Sequence, residues 1–205
     1  MNKTKITIKT YDAIAEKFDK EYCRSIYFKK QLDNFVSRLK KGSKILDVGS
    51  GTGHVARYLC RKGFDVVGVD LSEKMVTLAK AKAPDAIFEV MDIRELKFDQ
   101  NHFDSAICLF ALNHVTHKDA EKVISDLVKL VKKTGLLFLG IPEGCGDEIC
   151  DEPLDPKHKI YFNYYEKKWI LNSIEKNNLK LISIEDRFLR KEGHNEFFVV
   201  AKKLK

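Results

Sequence analysis

Long apolar runs are missing from this 205-residue sequence, and none reaches the ~18 residues that a membrane-spanning helix needs. The first eleven residues contain three lysines but no apolar stretch of the kind that forms a secretory signal. The five cysteines are an odd number, and no second Cys/His pair stands near Cys145 and Cys150 at metal-binding spacing. Repeats and low-complexity tracts are absent as well. These absences predict a globular protein of the reducing cytoplasm, without a membrane span and without zinc.

Basic and acidic residues are unevenly distributed along the chain, whose formal net charge is +7. Residues 1–42 carry a net charge of +6, residues 43–156 one of −5, and residues 157–205 again +6. A basic end can contact nucleic acid or an acidic substrate. Because the lysines are interleaved with acids and no basic-aromatic motif is present, we interpret the ends as solvated surface and expect no nucleic-acid partner.

The stretch from Lys44 to Asp70 organises the rest of the chain. An apolar run leads into a glycine-rich turn, a helical run follows, and a second apolar run ends on a carboxylate. This pattern predicts a strand–turn–helix–strand unit with a nucleotide-like ligand at its mouth, because glycines let a ligand approach the backbone and a helix start offers free N–H groups. Asp70 stands 21 residues after Gly49, where its carboxylate can accept hydrogen bonds from a ribose diol.

The spacing of the glycines separates two classes of nucleotide site. In the dinucleotide fingerprint G-x-G-x-x-G the third glycine would fall at His54, but here it stands at Gly53. With its acidic start, the run Asp47-Val-Gly-Ser-Gly-Thr-Gly53 resembles the D/E-x-G-x-G-x-G first motif of the class I S-adenosylmethionine-dependent methyltransferases. The resemblance extends over nearly the whole chain and implies S-adenosylmethionine as the cofactor.

Apolar periodicity divides the chain into alternating helices and strands. The predicted helices cover 11–22, 26–40, 54–62, 73–83, 118–133 and 164–177, and the predicted strands 44–48, 65–69, 86–91, 104–109, 136–141, 181–189 and 196–202. Near-continuous apolar strands are typical of a parallel sheet buried on both faces. We therefore expect an α/β fold with a Rossmann-like, seven-stranded, mostly parallel sheet and helices on both faces. The resemblance further implies that the C-terminal hairpin contributes an antiparallel strand to this sheet.

The chain is expected to form a single methyltransferase domain, 1–205. Within it, 1–42 would supply helices over the cofactor site, 43–141 the nucleotide-binding core, 142–163 a lid loop, and 164–205 a C-terminal helix and hairpin. Gly, Pro, Asp and Cys dominate 142–163, and long loops over α/β sheets are often lids. We expect 1–22 and 142–163 to become ordered when ligands bind.

The resemblance also implies which side chains meet each part of the cofactor. Asp70 would hold the ribose, and Asp92 would accept from the adenine amino group, unless it caps a helix. The other residues expected at the cofactor are Tyr11, Asp47, Gly49, Ser50, Gly51, Gly53, Leu71, Met75, Ile93, Leu109 and Phe110. Tyr11 comes from a segment similar to the Y-D-x-x-A-x-x-Y-D sequence of many small-molecule methyltransferases, in which Phe18 replaces the second tyrosine. A helix that only docks there, without ligand contact, is the alternative.

Methyl transfer is an in-line displacement at carbon, and it needs a general base only if the acceptor must lose a proton. His114, just after the fourth strand, is the best candidate for a base, although a histidine hydrogen-bonded to backbone is the simpler interpretation. Five aromatic residues could line the acceptor pocket or pack against the lid helix: Tyr22, Tyr161, Phe162, Tyr164 and Tyr165.

Three functions remain open at this level. A small-molecule methyltransferase is favoured, since the chain has no N-P-P-Y or D-P-P-Y after the fourth strand, no RNA-binding module and no cluster of metal-binding acids. A nicotinamide oxidoreductase is disfavoured by the glycine spacing and the terminal hairpin. A protein that binds S-adenosylmethionine without methyl transfer is the third. The sequence leaves open the acceptor, the attacking atom and the oligomeric state.

Overall fold

The parallel sheet predicted from the apolar runs forms the centre of the structure, a computed structural model that describes residues 3–22, 25–189 and 194–204. Within these ranges the helices are α1 (Lys3–Tyr22), α2 (Lys29–Val36), α3 (His54–Arg61), α4 (Glu73–Lys82), α5 (His117–Leu130) and α6 (Lys167–Lys176). The strands are β1 (Lys44–Val48), β2 (Asp65–Asp70), β3 (Ile87–Val90), β4 (Phe103–Leu109), β5 (Val131–Pro142), β6 (Asp147–Glu152), β7 (Asp155–Asn163), β8 (Leu179–Leu189) and β9 (His194–Lys203).

The main sheet has seven strands in the order β3-β2-β1-β4-β5-β9-β8. Its first five strands are parallel, and β9 lies antiparallel between β5 and β8. The predicted fold class is therefore confirmed, including the antiparallel hairpin at the C-terminal end. Because the strand order reverses between β1 and β4, the carboxyl ends of these two strands border a crevice in which α/β proteins bind their ligands.

Helices cover both faces of this sheet. Alternate residues of β1 belong to two separate buried clusters: Leu46 packs with α5 and α6, and Ile45 packs with α2, α3 and α4. Burial on both faces explains why the strands are apolar almost throughout rather than alternating. No helix within the described ranges is both long enough and apolar enough to span a bilayer.

The segment 142–163 is not the loop that its composition predicts. It contains the antiparallel pair β6–β7, in which Glu148 lies opposite Phe162 and Cys150 opposite Ile160. Most of β6 is polar and exposed, so apolar periodicity could not reveal it. The hairpin is instead held from above by α1, where the Thr10 hydroxyl donates to the Lys159 carbonyl at 2.5 Å.

Three predicted boundaries were also wrong by a turn of helix or more. Helix α1 begins at Lys3 rather than at 11, because buried threonines rather than apolar residues form its inner face there. Helix α2 is limited to Lys29–Val36, and β5 begins at Val131 rather than at 136. The early start of β5 comes directly after α5, whose last residue is Leu130.

Candidate functional site

A cavity of about 740 Å³ opens at the carboxyl ends of β1, β2 and β4, with α1 and the β6–β7 hairpin above it. This volume lies within the range of pockets that enclose a small organic ligand. Twelve of the thirteen residues expected at the cofactor line it: Tyr11, Asp47, Gly49, Ser50, Gly51, Asp70, Leu71, Met75, Asp92, Ile93, Leu109 and Phe110. Gly53 does not. The tertiary structure therefore assembles at one place residues that are spread over a hundred positions of sequence.

The glycine-rich turn after β1 needs its glycines for two different reasons. Gly49, Gly51 and Gly53 all have positive φ, at 72°, 52° and 76°. A Cβ on Gly49 would lie 2.3 Å from the Cβ of Ala111, and one on Gly53 would lie 2.9 Å from the Cβ of Ala79. Because Gly53 has no Cβ, the backbone that precedes α3 can pack against α4. Because Gly49 has none, the turn can lie close to the chain that follows β4.

Asp70, the last residue of β2, links the glycine-rich turn after β1 to the turn that follows β2. Its Oδ2 accepts the Gly51 N–H at 2.9 Å, and its Oδ1 accepts the Ser72 N–H at 2.9 Å. Burial raises the pKa of Asp70, whereas the two backbone bonds act in the opposite direction. A carboxylate oriented this way keeps further lone pairs for the hydroxyls of a ligand.

Asp47 is a buried carboxylate on β1 with 3% of its surface exposed. Its Oδ2 has no hydrogen-bond partner among the described residues, and neither has the buried hydroxyl of Ser50 beside the turn. Burial raises the pKa of Asp47 to about 7, and the negative charge of Asp70 adds to the effect. Buried polar groups are normally paired, so this part of the cavity wall is suited to a ligand that brings a cation or hydrogen-bond donors.

Apolar and polar side chains both line the part of the cavity around Asp92. Met75 and Ile93 are buried, and Leu71 lies beside them at the cavity wall. Asp92 accepts the backbone N–H of Arg94 at 2.9 Å and pairs with its guanidinium, whose Nη2 lies 2.5 Å from Oδ2. No helix begins at Asp92, so the alternative that it caps a helix is wrong. A ligand base would meet an Asp92 carboxylate that is already bonded to Arg94.

Helix α1 is fastened over the site by its own acids. Asp12 accepts from the Ser72 hydroxyl at 2.5 Å at the start of α4, and Asp19 accepts from the Thr52 hydroxyl at 2.6 Å and pairs with Lys82. These contacts hold Tyr11 at the cavity wall. Of the two interpretations of this segment, docking of the helix is therefore observed. The same docking places Tyr11 at the cavity.

His114, the predicted base, is half-buried and engaged at both ring nitrogens. Its Nδ1 lies 3.0 Å from the Tyr161 carbonyl, which can only accept, so the proton is on Nδ1. Its Nε2 is therefore an acceptor, and the Tyr11 hydroxyl donates to it at 2.7 Å. Burial lowers the pKa of His114 to about 4, although the Tyr161 carbonyl acts in the opposite direction. As a base His114 would be weak and would first have to release Tyr11.

Phe110 lies directly after β4 in a strained backbone conformation. Its φ is 57°, a region that bulky residues rarely occupy and that costs about 1–3 kcal/mol. Its N–H donates to the Gly140 carbonyl at 2.9 Å, and its ring lies 5.8 Å from that of Phe28. Such strain is concentrated at ligand sites, and it turns the backbone of Leu109 and Phe110 toward the cavity floor.

The predicted aromatic wall is only partly present. Tyr22, Phe162 and Tyr164 line the cavity. Tyr161 and Tyr165 do not, because both are in the core, where the Tyr165 hydroxyl donates to the Leu112 carbonyl at 2.7 Å.

Sequence reasoning did not find Asn113 or Glu152, two buried polar residues that also line the cavity. Asn113 directly precedes His114, the candidate base, and Glu152 lies within the segment that was interpreted as a loop. Only their burial in the folded chain sets them apart.

Comparison with known proteins agrees with this geometry. A model of the methyltransferase domain family matches residues 45–135, which contain β1 to the start of β5. The demethylmenaquinone methyltransferase of Thermotoga maritima is 27% identical over 177 residues, which are 81% of this chain and 71% of that relative. The ubiquinone biosynthesis O-methyltransferase of Coxiella burnetii is 35% identical over 102 residues. These are 48% of this chain and 43% of the relative, so the chain spans less than half of that protein.

Solved structures resemble the fold along nearly the whole chain. The 1,6-didemethyltoxoflavin-N1-methyltransferase of Burkholderia thailandensis, crystallised with its substrate and S-adenosylhomocysteine, has a TM-score of 0.77 at 15% identity. The match covers 96% of this chain and 87% of that one. At this identity the likeness shows the fold alone.

Proposed function

We propose that this chain is a class I S-adenosylmethionine-dependent methyltransferase and transfers a methyl group from S-adenosylmethionine to a small organic acceptor. The match of residues 45–135 to a methyltransferase domain family supports the proposal. The observation that carries the proposal is the pair of carboxylates at the crevice, Asp47 and Asp70, beside the turn after β1 in which three alternate glycines have positive φ. A nicotinamide dinucleotide would bring a pyrophosphate to these carboxylates, which would repel it.

The cavity residues fit S-adenosylmethionine part by part. Asp70 would accept the ribose hydroxyls, and Leu71, Met75 and Ile93 would enclose the adenine, with Asp92 at its edge. Asp47 and Ser50, whose buried oxygens have no partner among the described residues, would receive the amino-acid tail. When bound, the cofactor supplies a methyl group made electrophilic by a sulfonium.

Positioning is the contribution that these residues make to the reaction. The glycine turn and the Leu109–Phe110 floor would hold the cofactor, while α1 and the hairpin exclude water from above. Holding the attacking atom in line with the methyl group can contribute about 7–11 kcal/mol to the lowering of the barrier. No general base is needed when the attacking atom is a neutral amine nitrogen or is already deprotonated. General-base catalysis by His114 remains a prediction, and the bond from Tyr11 speaks against it.

Two further inferences, on the cellular setting and on the extent of the domain, belong to the proposal. We infer a cytoplasmic setting from the odd cysteine count, which suits a compartment that keeps thiols reduced. We also infer that 1–205 works as one unit, since α1 and the C-terminal strands complete the fold around the nucleotide-binding core.

Binding of S-adenosylhomocysteine tests the proposed function directly. Isothermal titration calorimetry of the purified chain should give a saturable heat with S-adenosylhomocysteine and none with NAD or NADP, because the carboxylates at the turn attract an ammonium group and repel phosphates. Tight NAD binding together with no response to S-adenosylhomocysteine would assign the crevice to the oxidoreductase alternative.

The pH dependence of cofactor binding should follow Asp47. In the free protein the pKa of this carboxyl is about 7, and the ammonium group of S-adenosylhomocysteine favours its ionised form. Affinity should therefore rise with pH, by about tenfold between pH 6 and pH 8, and binding at pH 6 should release a proton. Calorimetry in two buffers of different ionisation enthalpy measures that proton. The Asp47→Asn variant should lose this pH dependence, and an unchanged slope in it would assign the titration to another group.

A further inference from the structure

One part of the cavity lies away from the strand tips, between α1, the turn after β4 and the β6–β7 hairpin. We call it the hairpin subsite and define it by Tyr11, Asn113, His114, Glu152 and Phe162, all of which line the cavity. The His114 ring centroid lies 5.1 Å from those of Tyr11 and Phe162. Burial raises the pKa of Tyr11, and the charges of Glu152 and Asp70 both add to it, so Tyr11 stands between the cofactor residues and Glu152.

The hydroxyl hydrogen of Tyr11 and the ring N–H of His114 are already in use. The Tyr11 hydroxyl donates to His114 Nε2, and the His114 Nδ1–H donates to the Tyr161 carbonyl. On either side, the Thr7 hydroxyl donates to the Lys3 carbonyl at 3.2 Å and the Tyr164 hydroxyl donates to Glu148 at 2.9 Å. A ligand whose recognised group only accepts hydrogen bonds would find these donors occupied.

The hydrogen-bond acceptors of the subsite are not in use to the same extent. Because His114 Nε2 is an acceptor, the Asn113 amide must turn its Nδ2 toward it, at 3.2 Å. That orientation leaves Asn113 Oδ1 buried with no partner among the described residues. Such a buried acceptor destabilises the fold unless a donor reaches it.

Glu152 is the second acceptor, and burial raises the pKa of its carboxyl group while the Leu154 N–H acts in the opposite direction. Only 5% of its surface is exposed, and its Oε1 accepts the Leu154 N–H at 2.9 Å at the hairpin turn. Within the described ranges its carboxylate forms no ion pair, and Lys17 and His158 influence it only from a distance. A buried carboxylate is stabilised most by a cation that reaches it.

The charge of the whole cavity points the same way. Four further side chains on its wall are acidic, namely Asp47, Asp70, Asp92 and Glu196. Arg94 is the only arginine or lysine among the described lining residues, and it is paired with Asp92. A negative acceptor would be repelled from such a cavity.

We propose that the hairpin subsite selects acceptors that carry an amino group on an apolar body, with Glu152 and Asn113 receiving its N–H bonds and Phe162 packing against the body. The assignment rests on the proposed function, because it treats the occupant as the methyl acceptor, and it makes Glu152 a specificity-determining residue. The proposal concerns recognition, and the methylated atom can be this nitrogen or another.

A matched pair of small probes tests the assignment. We would titrate 2-phenylethylamine and 3-phenylpropanoate into the protein at pH 8, each with and without saturating S-adenosylhomocysteine. The amine should bind and the carboxylate should give no measurable heat. The Glu152→Gln variant keeps an oxygen for the Leu154 N–H but loses the charge, so it should bind the amine about 10- to 100-fold more weakly. Its affinity for S-adenosylhomocysteine should be unchanged, and a cooperative thermal unfolding transition should establish that it is folded.

Asp151→Asn is the control, since this neighbouring carboxylate is exposed and pairs with Lys159 away from the cavity. It should bind both probes as the unaltered protein does. The assignment is overturned if the amine does not bind, if the carboxylate binds as well as the amine, or if Glu152→Gln binds the amine normally. Failure of S-adenosylhomocysteine to bind while the amine still binds would instead remove the proposed function and leave the amine site standing.

Discussion

Replacing Gly49 by alanine should lower both the stability of the fold and its affinity for S-adenosylhomocysteine. The added Cβ would lie 2.3 Å from the Cβ of Ala111, so the turn after β1 and the turn after β4 must move apart. The residue also has a φ of 72°, which alanine adopts only at a cost. Overpacking of this kind lowers the free energy of unfolding by about 1–3 kcal/mol, and urea denaturation of the variant measures it.

Gly42 separates the two causes. Its φ is 74°, close to that of Gly49, but a Cβ there would meet no atom within 4 Å. Gly42→Ala should therefore show only the backbone cost, with normal ligand affinity. The double variant Gly49→Ala, Ala111→Gly removes the methyl group that clashes and should recover most of the packing loss. Equal destabilisation by Gly49→Ala and Gly42→Ala, with no recovery in the double variant, would show that the close approach to Ala111 has no energetic importance.

Replacing Asp70 by alanine should weaken S-adenosylhomocysteine binding by about 1.5–3 kcal/mol, or roughly 10- to 150-fold, the range for hydrogen bonds to a charged group. The carboxylate is expected at the ribose, and it also holds the N–H groups of Gly51 and Ser72 on opposite sides of the crevice. Its loss therefore removes a ligand contact and releases the glycine turn. Calorimetry gives the affinity, and circular dichroism establishes that the variant is folded.

Asp65→Ala is the matched control for this experiment, because Asp65 is the exposed first residue of the same strand, at the end remote from the crevice. It should bind S-adenosylhomocysteine normally. Asp70→Asn should be intermediate, since an amide oxygen can accept one of the two backbone N–H groups but the amide nitrogen cannot accept the other. Normal affinity in a folded Asp70→Ala protein would mean that the ribose is held elsewhere.

The sequence alone determined the parts of this site that depend on neighbours along the chain. The acidic residue, the alternate glycines and the carboxylate at the end of the next strand lie within 24 positions, from Asp47 to Asp70. Local backbone conformation and the parallel pairing of adjacent apolar strands are enough to bring such residues to one edge of a sheet. The mostly parallel sheet was predictable as well, because strands buried on both faces are recognisable from their composition.

Tertiary structure decided what lies above that edge. The β6–β7 hairpin has too little apolar periodicity to be recognised, and it forms where α1, more than a hundred residues away in sequence, supplies the contacts that hold it. Whether His114 is free or engaged depends on Tyr11 and on the Tyr161 carbonyl, and the orientation of Asn113 depends in turn on His114. Glu152 is an ordinary acid in a polar segment until the fold buries it. Long-range hydrogen bonds and burial leave no periodic signal in a sequence, so the residues around the glycine turn could be predicted, whereas Asn113, Glu152 and the partners of His114 could not.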